Sequence, residues 1–360
     1  MSKSANIATP ARAPSLRRCL RRWGWPAVVS LQEVKIARAD TATKDAVRRA
    51  VNPFTLSSSR SDEEGNDLGE EGVGGPEYDV WFGLPRDKFN ARGPSGSGRV
   101  CGVCMLVRRD VAETEGARVK EVEWDLEGRV LALEIPCASA GDGGEEGAGE
   151  GVVWEGAGQG RRGGLVVFGI YAVNGTTLPY REPSTGIITG DRHAHKRRFH
   201  THLRDEVARY EGDGWDVVVA GDLNISRSSL DSYPSQRVGV DHVANRADFE
   251  ENFMNARGGL RMMDSFREMK GEERKYTYRP PGRVWGAGMD RVDLILCSRG
   301  MGGNEFEEGR GSGQGKDRKR GRLVDAGILD TEEERGPSDH VPLYVDVSPA
   351  DATLKHEDGG

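Results

Sequence analysis

Five apolar runs in this chain each stop at, or carry, a side chain that can bind a cation or move a proton. The run at 27–31 ends at Gln32-Glu33. The run at 165–170 ends at Tyr171, with Asn174 three residues on. The run at 216–220 ends in Gly221-Asp222-Leu223-Asn224. The run at 291–297 contains Asp293, and Asp339-His340 stand immediately before the run at 341–347. Short continuous apolar runs bounded by turn residues read as strands buried on both faces. Further strands are expected at 78–84, 99–107, 129–135 and 276–278, the third with Leu131, Leu133 and Ile135 on one face. Helices are fewer. The spacing predicts them at 15–23, 41–51, 194–210 and 245–256, with a strand or helix edge at 262–269. In the longest, Phe199, Leu203, Val207 and Tyr210 form one apolar stripe, and the basic residues Lys196, Arg197 and Arg198 are expected to face elsewhere. Many strands with few outlying helices predict two sheets packed face to face with helices outside, a four-layer α/β sandwich.

Composition matters chiefly through where it is uneven. Much of the glycine, 50 residues in all, clusters with Ser, Glu and Asp at about 57–77 and 138–164. Such segments cannot bury enough apolar surface to fold, so both read as low-complexity insertions, with a third, ending basic, at about 302–322. A solvated loop is the favoured reading of that third one over a nuclear-import or nucleic-acid patch. The expected organisation is a tail at 1–26 carrying a short basic helix, one domain at 27–348, and a disordered tail at 349–360. The net charge of −7 is concentrated in the first two insertions, so it does not argue against a polyanionic substrate for the rest of the chain. Five scattered cysteines fit a reducing compartment, and Cys101-x-x-Cys104 reads as strand residues rather than half a zinc site. No stretch is apolar and long enough to span a membrane. The first 22 residues hold no acid, a composition compatible with a mitochondrial transit segment or a disordered tail.

Each polar strand end taken singly has a bland reading as a turn residue or a solvated strand terminus. Together they form a chemical set. Glu33 and Asp339 are hard oxygen donors suited to Mg²⁺, with Mn²⁺ as the alternative ion. Asp222 can orient or deprotonate a water, and Asn224 can hold that water or a phosphate oxygen. His340 can donate to a non-bridging oxygen while Asp293 orients its other ring nitrogen. Tyr171 offers a phenolic donor and Asn174 a contact to a neighbouring phosphate. This is the equipment of a phosphodiester-cleaving centre.

The ordered motifs resemble the endonuclease/exonuclease/phosphatase superfamily, and within it the exonuclease III-type apurinic/apyrimidinic endonucleases of filamentous-fungal texture. They are Leu31-Gln32-Glu33-Val34-Lys35, Tyr171-Ala172-Val173-Asn174-Gly175, Gly221-Asp222-Leu223-Asn224, Arg291-Val292-Asp293 and Ser338-Asp339-His340. The resemblance implies a DNase I-like sandwich and Glu33 as a metal ligand, with Asp222, Asn224, Asp339 and His340 completing the metal site. It implies Tyr171, Asp222, Asn224, Asp293 and His340 as the catalytic set. It also implies a monomeric nuclear enzyme acting on double-stranded DNA with abasic sites, cleaving 5′ to the lesion. A 3′-exonuclease or 3′-phosphodiesterase activity would accompany this. Two departures stand out. The family's opening strand carries an Asn of the metal site, and Ser4-Ala5-Asn6-Ile7 matches it poorly, so the first core strand is expected to be lacking. The aromatic for the abasic-sugar pocket has only Trp285 as a bulky candidate between the 276–278 strand and Asp293. The competing expectations are a small-molecule or lipid phosphodiesterase of the same fold, and a catalytically impaired DNA-binding homologue.

Overall fold

The computed structural model describes residues 15–52, 74–90, 101–137, 163–302 apart from 256, 321–335 and 338–348. Both tails' termini and most of the three expected insertions lie outside the described residues.

In chain order, helix α1 (Leu16–Arg22) leads to β1 (Val28–Val34), α2 (Thr41–Val51), β2 (Tyr78–Gly83) and β3 (Gly102–Arg108). A short α3 (Arg109–Ala112) is followed by β4 (Arg118–Glu121), β5 (Val130–Pro136), β6 (Gly164–Tyr171), the hairpin β7 (Pro179–Arg181) and β8 (Ile188–Asp191), and α4 (Arg192–Gly212). Next are β9 (Asp216–Asp222), β10 (Ser232–Tyr233), α5 (Val240–Phe249), β11 (Met263–Asp264) and α6 (Ser265–Lys270). The chain closes with β12 (Met289–Asp290), β13 (Asp293–Cys297), β14 (Arg322–Ile328) and β15 (Leu343–Ser348).

Six strands form the larger sheet in the order β11-β13-β9-β6-β5-β4, and three form a smaller one in the order β1-β3-β2. Side-chain alternation decides what each face meets. On the larger sheet Val130, Ala132, Val166, Phe168, Val217, Val219 and Leu294 face outward onto α4 and α5, meeting Phe199, Leu203, Val207 and Phe249. Leu131, Leu133, Leu165, Val218 and Ile295 face inward and meet Val103, Met105 and Val107 of β3. Cys104 and Leu106 of β3 point the other way, onto Leu20 of α1 and Val51 of α2. The layers therefore run α1/α2, small sheet, large sheet, α4/α5, which is the predicted four-layer sandwich. Each fully buried aliphatic or aromatic side chain at these interfaces stabilises by roughly 1.5–3 kcal/mol. Cys104 is thus a core residue of the small sheet, as its strand reading requires.

Several elements differ from expectation. The segment 276–278 is not a strand; only Tyr278 makes isolated bridges, to Asp290 and His340. The last strand begins at Leu343 rather than at 341, because Asp339 and Val341 bond to the 277–279 segment: Arg279 N donates to Asp339 O and Val341 N to Thr277 O. The hairpin β14-β15 extends the small-sheet side, with Leu343, Val345 and Val347 on the inner core, but it does not hydrogen-bond to β1 among the described residues. An open cleft of about 1860 Å³ separates them.

Candidate active site

Register creates the site. β6 and β9 are parallel, β13 is antiparallel to β9, and the pairing aligns Tyr171 with Asp222 and Asp222 with Asp293. Three functional side chains on neighbouring strands thus stand in one row across the sheet. Gly221 makes the turn feasible. Its φ is +139°, and a Cβ there would lie 2.1 Å from Ile170 O. Beyond it, Asn224 adopts a left-handed φ of +53°. Its main-chain N donates to Asp222 Oδ1 at 2.8 Å, and its Nδ2 donates to Asp222 Oδ2 at 3.1 Å and Ala172 O at 3.0 Å. The side-chain nitrogen is spent within the turn, so its carbonyl oxygen is what Asn224 can offer a cation or a water.

His340 closes the row from the other side. Its Nδ1 lies 2.8 Å from Asp293 Oδ2, and its ring centroid is 4.8 Å from that of Tyr278. Thr277 Oγ1 accepts from the main-chain N of Val292 and Asp293, both at 3.1 Å, and so sets the height of Asp293. Burial alone would lower the His340 pKa, but the hydrogen bond and charge of Asp293, with Asp222 and Asp339 nearby, raise it to about 9. Burial, then the charge of Asp293, pushes the Asp222 carboxyl up to about 7. Burial also raises the Tyr171 phenol, which stays protonated.

Asp222, Asp293 and His340 offer ligand atoms within 4.8 Å of one another, the one such group among the described residues. Two carboxylates that raise each other's energy in a buried site are a place where a divalent cation is favoured. Glu33 and Asp339 are not in that tight group. Glu33 lines the same cleft and lies close enough to Tyr171 to act on its charge, but it is exposed and 3.6 Å from Lys35. Asp339 also lines the cleft. Asn174 is an exposed cleft residue beside Gly175, whose bare Cα allows His193 Nδ1 and Asn245 Nδ2 to approach. Trp285 is not brought to the cleft. It packs beside Phe266, Ile328 and Val341, with the Arg335 guanidinium 4.7 Å above its ring.

Two supports escaped the sequence reading. Lys196 does not face away with a solvated basic surface. It is 1 % exposed, and its Nζ donates to Asn224 O at 2.7 Å and Leu223 O at 3.3 Å. Burial lowers its pKa to about 7. The signal was available: 196 stands three residues before Phe199 and seven before Leu203, on the buried stripe. Its neighbours are also engaged, Arg197 with Asn245 Oδ1 at 3.0 Å and Arg198 over the Tyr180 ring at 5.0 Å. The second support is Arg129, which donates to Tyr171 O at 3.0 Å, stacks over the Tyr171 ring at 5.0 Å, and is held by Glu127 at 2.8 Å. Glu127 in turn accepts from Arg192 at 2.7 Å, tying the end of β6 to the start of α4. No periodicity points to that pairing, because it joins residues far apart in sequence.

A strand row thus presents two carboxylates, an imidazole and a phenol at the mouth of a cleft on a four-layer sandwich. The sequence profile of the Endonuclease/Exonuclease/phosphatase family matches residues 4–340, and this chain belongs to that family. Its fold is accordingly DNase I-like. The APE2 catalytic domain of Xenopus laevis is similar at 17 % identity over 93 % of this chain and 88 % of that one, with a TM-score of 0.54. An AP endonuclease from Archaeoglobus fulgidus matches at 16 % identity over 92 % of each chain, with a TM-score of 0.49. A 3′-5′ exonuclease from Neisseria meningitidis matches at 17 % identity over 90 % of each chain, with a TM-score of 0.45. Among curated proteins nothing matches. No described helix is long and apolar enough to cross a membrane.

Proposed function

We propose that this protein is a Mg²⁺-dependent DNA repair nuclease of the exonuclease III type that hydrolyses the phosphodiester 5′ to abasic sites. The observation that carries the reading is the aligned row Tyr171–Asp222–Asp293, completed by His340 at hydrogen-bond distance from Asp293. Asp222, with the Asn224 carbonyl and cleft oxygens from Glu33 and Asp339, would hold the cation, whose chemistry there is charge neutralisation of the phosphate. Asp222 takes the proton of the attacking water at a carboxylate oxygen, and the turn hydrogen bonds from Asn224 hold that carboxylate still. His340, kept protonated by Asp293, donates from its other nitrogen to a non-bridging oxygen. Tyr171, whose phenol stays protonated, donates a hydrogen bond to the same phosphate, and the departing 3′-oxygen takes its proton from water. Asn174, with Arg237 and Arg246 at the cleft rim, contacts neighbouring phosphates.

The test is a labelled duplex carrying one abasic-site analogue, incubated with the purified chain. Expected is a single nick 5′ to the lesion that needs Mg²⁺ and is lost in chelator, with binding that weakens steeply as salt is added. An intact duplex together with hydrolysis of a phosphoinositide or a small phosphodiester would replace the substrate class.

Lys196 supplies a second expectation. If it holds the Asp222–Asn224 turn, Lys196→Met lowers kcat on the abasic duplex by about ten- to a hundredfold through misplacement of the acid/base group, with KM nearly unchanged. A raised KM and a shallower salt dependence at unchanged kcat would instead make it a phosphate contact.

A further inference from the structure

A second row of side chains leads away from His340. Tyr278 bridges antiparallel to Asp290 on one side and to His340 on the other. Tyr278 N donates to Asp290 O at 2.9 Å, and Asp290 N donates to Tyr278 O at 3.0 Å. Directly paired residues present their side chains on one face, with Cβ atoms roughly 4.5–5.5 Å apart. Asp290, Tyr278 and His340 therefore stand in line, and all three line the cleft. Two such steps place Asp290 about 10 Å from His340, with the Tyr278 ring between them. That spacing leaves room for one sugar over the ring when His340 holds the adjoining phosphate. Asp290 has no part in the chemistry described above, yet its carboxylate is fixed in place. One oxygen accepts from Ser232 Oγ at 2.7 Å and from Ser226 Oγ at 3.4 Å. Among the described residues the other oxygen accepts no hydrogen bond, and Arg237 Nη2 stands 3.7 Å from it. The side chain is 15 % exposed. An ionised carboxylate is an acceptor only, and a ligand that covers it without supplying a donor leaves it unsatisfied at a cost.

We infer that Asp290 is a specificity-determining residue whose free carboxylate oxygen accepts the C1′ hydroxyl of a base-free sugar lying on the Tyr278 ring. The deoxyribose of an unbroken strand has no O–H to offer, because its 3′ and 5′ oxygens are esterified. A sugar that has lost its base by hydrolysis has one, at C1′ of the hemiacetal ring. The inference rests on the nuclease reading and narrows it. The site distinguishes a hydrolysed abasic sugar from a tetrahydrofuran analogue that carries hydrogen at C1′. A site built to bond a hydroxyl rejects the analogue lacking it, since its own polar group is then left unpaired. The 2′-hydroxyl of a ribonucleotide is the other sugar O–H that could reach such an acceptor, and the experiment separates the two.

Single-turnover nicking by the full chain tests it on three duplexes, carrying a hydrolysed abasic site, the tetrahydrofuran analogue or a single ribonucleotide. The parent chain should nick the hydrolysed site faster than the analogue by about ten- to a hundredfold, the worth of one hydrogen bond to a charged group. Asp290→Ala should bring that ratio close to one. Damage to the fold would lower both rates and leave the ratio, so the ratio reports the contact. Ser226 Oγ and Ser232 Oγ are already within hydrogen-bond distance of each other and stay partnered in the variant. Asp290→Asn, which keeps an acceptor and gives up the charge, should show an intermediate ratio and serves if the alanine variant does not fold. A parent ratio of one overturns the inference, as does a preference that both variants keep. Faster nicking at the ribonucleotide than at the hydrolysed site, lost in Asp290→Ala, overturns the C1′ assignment. If the parent chain nicks none of the three, the nuclease reading falls, and an NMR titration decides the contact separately. Tighter binding of 2-deoxyribose 5-phosphate than of 1,2-dideoxyribose 5-phosphate, abolished by Asp290→Ala, supports it; equal binding overturns it.

Discussion

Asp222→Asn is expected to lower single-turnover nicking of an abasic-site duplex by about a hundred- to ten-thousandfold, the range that a positioned acid/base group contributes. The same substitution is expected to leave the melting temperature unchanged or higher. Asp222 is buried and faces the charge of Asp293, so its ionised form is held at a cost that neutral Asn does not carry. Its carboxyl is raised to about 7 from an ordinary 3.8. A raised folded-state pKa means that the stabilising contribution is present in full below the unfolded value and is lost as pH rises through about 7. In metal-free protein the pH dependence of stability near neutrality should therefore flatten in the variant. Activity has the opposite sign, since the base must be ionised. It should rise with pH toward about 7, earlier when a bound cation favours the carboxylate, and fall above about 9 as His340 loses its proton. A variant that nicks at the parent rate would remove Asp222 from the chemistry; a variant that melts much earlier would make it a structural residue.

Arg291→Met is expected to cost about 3–5 kcal/mol of folding stability, the usual result of leaving a buried charge uncompensated. Arg291 is 1 % exposed and lies between two buried carboxylates. Its Nε donates to Asp231 at 2.7 Å, and its two terminal nitrogens donate to Asp264 at 3.0 and 2.7 Å. Arg267 reaches Asp231 at 2.5 Å and Arg227 reaches Asp264 at 2.9 Å, but both come from the more exposed side and cannot replace the central fork. For a chain of this size the loss corresponds to a fall of order ten degrees in melting temperature by calorimetry. Arg291→Lys, which keeps the charge and gives up the bidentate geometry, should fall between the two. Because Asp293 is two residues away, the Arg291→Met chain should also lose nicking activity while still folded, by misplacing the start of β13. An unchanged melting temperature would show that Arg227 and Arg267 carry the two carboxylates by themselves.

Much of this protein could be read in advance because much of it is local. Continuous apolar runs marked β1, β6, β9 and β13, and alternation at 129–135 assigned Leu131, Leu133 and Ile135 to one face, which packs on β3. The chemically active side chains were visible as polar residues at the ends of those runs. Their nature limited the chemistry to hard-metal and proton-transfer work. Where local reading failed, a distant partner had overridden it. Lys196 looked like part of a basic surface because charge usually marks solvent, yet two main-chain carbonyls of the Asp222–Asn224 turn hold it in the core. Trp285 looked like a candidate pocket wall, and its packing beside Phe266 and under Arg335 places it elsewhere.

The sequence by itself determined the core strands β1, β2, β3, β5, β6, β9 and β13, the facing of Leu131, Leu133 and Ile135, and the inventory of reactive groups, since burial period and residue type are written residue by residue. Only the tertiary structure decided that Tyr171, Asp222 and Asp293 stand at one height, that Arg291 bridges Asp231 and Asp264, and that an open cleft lies between β1 and β15. Those facts depend on register and on pairings between segments tens of residues apart. Main-chain hydrogen bonds and core packing set them jointly across the whole chain, and no single stretch encodes them.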